Sequence, residues 1–250
     1  MMKIWVITLF PEYFSAFKEV GVAGQALSGQ RGRGFELNTV LLREYSPKDF
    51  KGCDDAPYGG GAGMVLRADV LKNALQKGVI EAGEYGENWR EKLHIICPTP
   101  RGRVWNNEFC KEFASTIWNE EAPKDLVVVC GRYEGLDERF LSKYVDQEIC
   151  LGDFILTGGE IPALAILDSA LRFTPGVLGN RESYQHESFQ EPLLEHPHYT
   201  RPREFEGMEV PAVLTSGDHK KIEHWKQEQR VEVTKKLRPD LFEKYQRESK

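Results

Sequence analysis

Cys150-Leu151-Gly152-Asp153-Phe154-Ile155-Leu156-Thr157-Gly158-Gly159-Glu160-Ile161-Pro162 is the stretch that decides the fold. It leaves a short apolar run, breaks at a glycine pair and opens an amphipathic segment over 160–172. A strand that stops at glycine and feeds a helix can hold a small ligand. The glycines let backbone approach closely, and the freed N–H and C=O groups hydrogen-bond what sits there. Two similar breaks lie upstream. Leu126-Val127-Val128-Val129-Cys130 runs into Gly131-Arg132-Tyr133-Glu134-Gly135, and Leu93-His94-Ile95-Ile96-Cys97 runs into Pro98-Thr99-Pro100-Arg101-Gly102. An ordinary turn would explain any one of them. Three strand ends that all stop in Gly/Pro loops point to one site at the carboxyl edge of a parallel sheet.

The rest of the chain fits around that sheet. Its 250 residues allow one good core and a small second one. The 40% hydrophobic and 29% charged content place it among soluble globular chains, and no apolar run approaches bilayer length. Met1-Met2-Lys3-Ile4-Trp5-Val6 carries one Lys and too short an apolar region for a signal peptide, so a cytoplasmic protein with no membrane partner is expected. Cys53, Cys97, Cys110, Cys130 and Cys150 form no C-x-x-C pair, which indicates neither a disulfide framework nor zinc. The net charge of −6 argues against indiscriminate nucleic-acid binding. It is uneven, however. Residues 219–250 hold ten Lys/Arg and six Asp/Glu, a net of +4, which leaves −10 on the remainder. An acidic body that holds a small molecule and a basic tail that meets a polyanion would give this split; so would a solvated helical surface.

Taken in order, residues 3–10 read as a buried strand, 13–20 as a short helix, 21–34 as loop or broken helix, and 35–42 as a second strand. Residues 54–63 are the most glycine-dense stretch, either a surface loop or one that closes over a ligand. It is no dinucleotide fingerprint, because the G-x-G-x-x-G spacing fails at Met64 and no strand precedes it; a Walker A loop is absent throughout. Asp69 is placed to cap a helix that Gly78 stops, and 81–92 is polar connector. Helices are expected over 108–119 and from Glu160, the latter ended by Pro175-Gly176. Strand and helix alternate, which predicts an α/β fold with a mainly parallel sheet. Residues 179–186 read as an interdomain linker. Beyond it, Ser216 or Asp218 can cap a final helix with Ile222, Trp225, Gln229 and Val233 on one face and Lys220, Lys221, Lys226 and Arg230 elsewhere.

Five of the six histidines lie after Gln185. His196-Pro197-His198 has no Cys partner and a Pro between its rings, so a structural or RNA-contacting role is favoured over zinc. Glu187, Glu191 and Glu195 recur every fourth residue, as a solvated acidic face or as a source of one general base. His198-Tyr199-Thr200-Arg201-Pro202 sets ring, hydroxyl and guanidinium in a row, groups that stack on bases and bind phosphates.

Together these blocks resemble the bacterial tRNA (guanine-N1)-methyltransferases of the TrmD family, SPOUT class. The likeness is carried by Tyr58-Gly59-Gly60-Gly61 with Gly63-Met64, by residues 131–139, by Gly152-Asp153 through Gly158-Gly159-Glu160, by Pro175-Gly176-Val177-Leu178-Gly179, and by residues 197–202. The resemblance implies a SPOUT-type parallel sheet with a deep trefoil knot over 1–178 and a small helical, tRNA-binding C-terminal domain over 187–250. It implies methylation of N1 of guanosine 37 by S-adenosyl-L-methionine, in a homodimer with composite sites, and an Mg2+ requirement. Glu187 would be the base and Arg172 the cation near O6. The cofactor would lie against Cys97, Pro98, Thr99, Pro100, Gly131, Tyr133, Glu134, Cys150, Leu151, Gly152, Asp153, Phe154, Leu156, Gly158, Gly159 and Pro162. RNA would meet Tyr58, Glu195, His198, Tyr199 and Arg201. No protein-held metal site is implied. The chain departs from the pattern in having Glu187 where the family has Asp, and Pro192 where it has Gly. The alternatives are a SPOUT methyltransferase acting on another RNA and a cofactor-holding tRNA-binding protein without turnover; a nicotinamide oxidoreductase is excluded by the missing fingerprint.

Overall fold

A computed structural model describes residues 1–47, 52–178 and 187–248; the expected linker, 179–186, lies outside the described residues. The chain divides into two compact units, Met1–Gly179 and Asn180–Lys250. The first unit runs β1 (Met2–Thr8), α1 (Ser15–Glu19), α2 (Gly21–Leu27), β2 (Phe35–Leu41), β3 (Asp54–Asp55), β4 (Val65–Leu66), α3 (Ala68–Asn73), α4 (Trp89–Lys92), β5 (Leu93–Val104), α5 (Asn107–Ile117), β6 (Asp125–Val129), α6 (Glu138–Tyr144), β7 (Gln147–Cys150) and α7 (Glu160–Leu171). Five strands form one sheet in the order β2-β1-β6-β5-β7, and every neighbouring pair is parallel.

The strands are near-continuous apolar runs because both faces of the sheet are covered. Successive side chains point to opposite faces. Ile4 and Val6, Leu126 and Val128, and Ile96 enter one core with Phe109 and Phe113 of α5 and Ile166 and Leu167 of α7. Trp5 and Ile7, Val127 and Val129, and Ile95 enter the other with Val70 and Leu71 of α3 and Phe140 of α6. The result is a three-layer α/β unit with the carboxyl ends of β5, β6 and β7 side by side.

Local departures from the sequence reading have physical causes. Of the two readings of 21–34, the broken helix is the one found, as Gly21–Leu27. Asp69 does not cap α3; it pairs with Arg67, 2.7 Å away. The helix does not stop at Gly78 but continues as a π-helical stretch, Ala74–Glu81. Gly78 is there for packing: a Cβ would stand 2.5 Å from Val40 Cγ1 and 2.7 Å from the Tyr45 hydroxyl. β5 does not end at Cys97. It pairs with β7 up to Pro98↔Ile149, bulges, and resumes at Arg103↔Ile149. Gly102 permits the return, since a Cβ there would collide with the backbone of Ile149 and lie 2.6 Å from the Glu148 carbonyl oxygen.

The second unit holds the hairpin β8 (Glu204–Phe205) and β9 (Met208–Glu209), then α8 (His219–Leu237) and α9 (Pro239–Glu248). Asp218 caps α8 by accepting from Lys221 N at 3.2 Å. The face expected to be apolar is only half-buried. The fully packed positions are Arg230 and Thr234, which hold residues 191–194: Thr234 Oγ1 accepts from Leu194 N at 2.8 Å, and Arg230 Nη1 lies 3.1 Å from Glu191. Arg230 is therefore not an exposed cation.

Candidate active site

The three strand ends enclose a cavity of about 510 Å³, within the ~300–1,000 Å³ range of small-molecule sites. Its walls are the β5 bulge at Pro98–Arg101, the turn Gly131–Leu136 after β6, and the stretch from Ile149 to Gly159 after β7, with Pro162 in the first turn of α7. Glycines set how tightly these loops cross. Gly159 N donates to Gly131 O at 2.8 Å, and a Cβ at Gly159 would stand 2.8 Å from Gly131 N and 2.9 Å from Cys130 Cα. The Arg132 side chain fills the space a Cβ at Gly158 would take.

Four ionised side chains reach the wall. Arg101 Nη2 lies 3.0 Å from Glu138 and 3.3 Å from Glu148. Arg132 Nη2 lies 2.9 Å from Glu160 Oε2. Glu160 is fully buried, and its other oxygen accepts from Thr8 Oγ1 at 2.7 Å. Arg132 also packs its guanidinium over Phe10, 4.3 Å from the ring centre, and donates to Thr157 O at 3.2 Å. Burial alone would lower the Arg132 pKa; the Glu160 carboxylate outweighs it and raises the pKa above its ordinary value. Glu134 is the fourth, and among the described residues it has no ion pair.

Most of the residues expected around a cofactor come together here: Pro98, Thr99, Pro100, Gly131, Tyr133, Glu134, Cys150, Leu151, Gly152, Phe154, Leu156, Gly158, Gly159 and Pro162 all line the cavity. Cys97 and Asp153 do not. Cys97 is fully buried in the core, where desolvation pushes its thiol far up, and Asp153 faces solvent. Tyr58 stands fully exposed on a loop whose Gly59, Gly60, Gly61 and Gly63 all adopt left-handed φ. Arg172 is the C-cap residue of α7 in the first unit. Glu187, Glu195, His198, Tyr199 and Arg201 belong to the second unit. There Glu195 lies 3.4 Å from His198 Nε2, the His196 and His198 rings meet at a tilt with centres 4.6 Å apart, and Tyr199 packs 6.3 Å from Trp225. Among the described residues no three His, Cys, Asp or Glu side chains group as a metal site. Sequence reasoning put Arg101 and Arg132 in the loops around the cofactor without singling out their side chains, and missed Glu138 as a wall residue and the Thr8–Glu160–Arg132 chain. The charges of residues 132 and 138 stood inside a quoted block and were a usable signal; Thr8 and Glu160, 152 positions apart, left none.

A three-layer α/β unit with a parallel sheet and a glycine-walled cavity at its carboxyl edge defines an α/β small-ligand-binding domain. The family described as tRNA (Guanine-1)-methyltransferase TrmD matches residues 2–244, and the chain belongs to that family. Proteins named tRNA (guanine-N(1)-)-methyltransferase are similar along nearly their whole length. The one from Bartonella bacilliformis is 46% identical over 96% of this chain and 94% of its own. One from Clostridium perfringens is 45% identical over 97% and 94%, and one from a Sulfurihydrogenibium species 43% over 97% and 88%.

Proposed function

We propose that this protein methylates N1 of guanosine 37 in tRNA, using S-adenosyl-L-methionine held in the cavity of the first unit. The observation that carries the reading is that cavity, in a chain of this family. Its residues suit the cofactor. It has the volume for a nucleoside joined to an amino acid, glycine backbone that can approach it closely, and an unpaired carboxylate, Glu134, for its ammonium group. The close crossing of residues 131 and 159 supports a SPOUT-type knot. Exposed Phe10, Tyr13, Val20, Val22, Ile155 and Ile161 support a homodimer with composite sites, and the +4 charge of residues 219–250 supports tRNA binding by the second unit. Mg2+ dependence belongs to the same proposal.

In this reading Glu187 removes the N1 proton, since N1 of neutral guanine is a poor nucleophile until that proton leaves. Arg172 faces O6, where negative charge then gathers. The bound cofactor supplies an electrophilic methyl group on a sulfonium. Glu187 reaches about 1.5 Å further than the family's Asp, roughly one bond length along the chain. The local backbone must absorb this, because a misplacement of about 1 Å can cost ~100-fold. The test is transfer of labelled methyl to a G37 transcript against an A37 transcript, for wild type, Glu187→Gln and Glu195→Gln. The proposal expects G37-only methylation and a loss of about 10²–10⁴-fold in Glu187→Gln. A loss confined to Glu195→Gln moves the base to Glu195; equal methylation of A37 rejects the substrate.

A further inference from the structure

We infer that Gly63 is a positioning residue for Glu134: it keeps open the space the Glu134 carboxylate occupies, so that this carboxylate faces the cavity and receives a cationic ligand group, the ammonium of the methyl donor's amino-acid end. The inference rests on the cofactor reading above.

Two segments far apart in sequence are stitched together here. Glu134 N donates to Met64 O at 3.0 Å, Leu66 N to Gly135 O at 2.9 Å, and Asp137 N to Leu66 O at 3.0 Å. The end of the glycine loop is thus fixed against the turn that carries Glu134. A Cβ on Gly63 would fall on the Glu134 carboxylate, 2.5 Å from Cγ and 2.8 Å from Cδ. The loop's other glycines differ. Gly59, Gly60 and Gly61 have φ of 91°, 76° and 123°, yet a Cβ on any of them meets open space. Their glycines serve conformation alone, whereas Gly63, at φ 88°, serves conformation and clearance. Tyr133, a non-glycine residue at φ 58°, sets the turn from which Glu134 projects.

The charge pattern says what Glu134 waits for. Arg101 is shared by Glu138 and Glu148, and Arg132 is held by Glu160, whereas Glu134 has no ion pair among the described residues. An unpaired carboxylate on a ligand wall is complementary to a cation that the ligand brings. Because Glu134 is an exposed, flexible side chain, the overlap is relieved by moving it, and the folding cost of Gly63→Ala is that of its positive φ, which Gly61→Ala shares. The loss falls on the ligand.

The test measures binding of S-adenosylhomocysteine and of 5′-methylthioadenosine to the full chain by calorimetry. The second ligand keeps the nucleoside and sulfur but lacks the ammonium and carboxylate. Gly63→Ala is expected to weaken S-adenosylhomocysteine about 10–100-fold, the range of one charge-assisted hydrogen bond, and methylthioadenosine by no more than about twofold. Gly61→Ala imposes similar backbone strain without the clash and leaves both affinities within about twofold. Gly63→Ala in a Glu134→Gln background adds nothing further. Equal weakening of both ligands, an equal effect of Gly61→Ala, or additive losses in the double variant would overturn the inference. If Gly63→Ala does not fold, Glu134→Ala must restore it by removing the overlap, and failure to do so also overturns it. Failure of the wild type to bind S-adenosylhomocysteine rejects the cofactor reading instead.

Discussion

Replacing Glu160 by Gln tests how the first unit holds its buried charge. The carboxylate is fully buried and serves two partners, Thr8 Oγ1 at 2.7 Å and Arg132 Nη2 at 2.9 Å. Gln keeps the shape but cannot satisfy both as well. If its oxygen stays with Arg132, its NH₂ faces the Thr8 hydroxyl, whose own hydrogen then loses the acceptor it had at 2.7 Å. If it turns over, two donors face each other. Removing one partner of a buried ion pair costs ~3–5 kcal/mol when the other charge is stranded. Arg132 keeps its Phe10 face, worth ~1 kcal/mol, and its side chain is 14% exposed, so the expected loss is about 2–4 kcal/mol. Urea unfolding followed by circular dichroism reads it as a lower midpoint at unchanged slope. The paired variant Glu160→Leu/Arg132→Met should recover most of the stability, because it strands no charge. A loss below ~1 kcal/mol in Glu160→Gln would refute the reasoning, showing that the pair is solvated rather than structural.

Two further outcomes follow from the same geometry. Gly159→Ala is conformationally permitted, with φ −81° and ψ −7°, but its methyl would press the 130–131 backbone; we expect ~1–3 kcal/mol of destabilisation in urea and weaker S-adenosylhomocysteine binding. His94 is held below its ordinary pKa by burial, with Asp146, 3.8 Å away, opposing. The unfolded chain then takes up the proton first, so stability is full above pH ~6.5 and falls by up to ~1.4 kcal/mol per unit as the pH drops. His94→Phe should flatten that slope between pH 7 and 5; an unchanged slope would assign it to another group.

The sheet could be read from the chain because its strands are buried on both faces. Runs such as Leu126–Cys130 need no partner information to be recognised. The cavity could be read because three such runs end in glycine or proline. What could not be read depended on neighbours distant in sequence. Gly78 looked like a helix stop, but a glycine kept for clearance against Val40 and Tyr45 is written with the same letter as one that ends a helix. Pro98 and Pro100 looked like the end of β5, yet the strand resumes beyond them through a register slip against β7 that only the pairing reveals. Arg230 looked like an exposed cation, because its partners Glu191 and the Leu194 carbonyl belong to an aperiodic stretch.

The strand order also has a consequence during synthesis. β1 is made well before β6, and it sits inside the sheet, with β2 on one side and β6 on the other. β2 is available early. Ile4, however, pairs with Leu126, 122 positions later. At ~5–20 residues per second, the ribosome needs roughly 6–24 s to deliver that partner. Through that interval the β6 side of β1, at Ile4 to Ile7, lacks its native partner strand. That is long enough for a chaperone to bind and release many times. The nascent chain should therefore be most prone to aggregate before residue 129 emerges, and a ribosome stalled within the β2–β6 interval would present that edge to its neighbours.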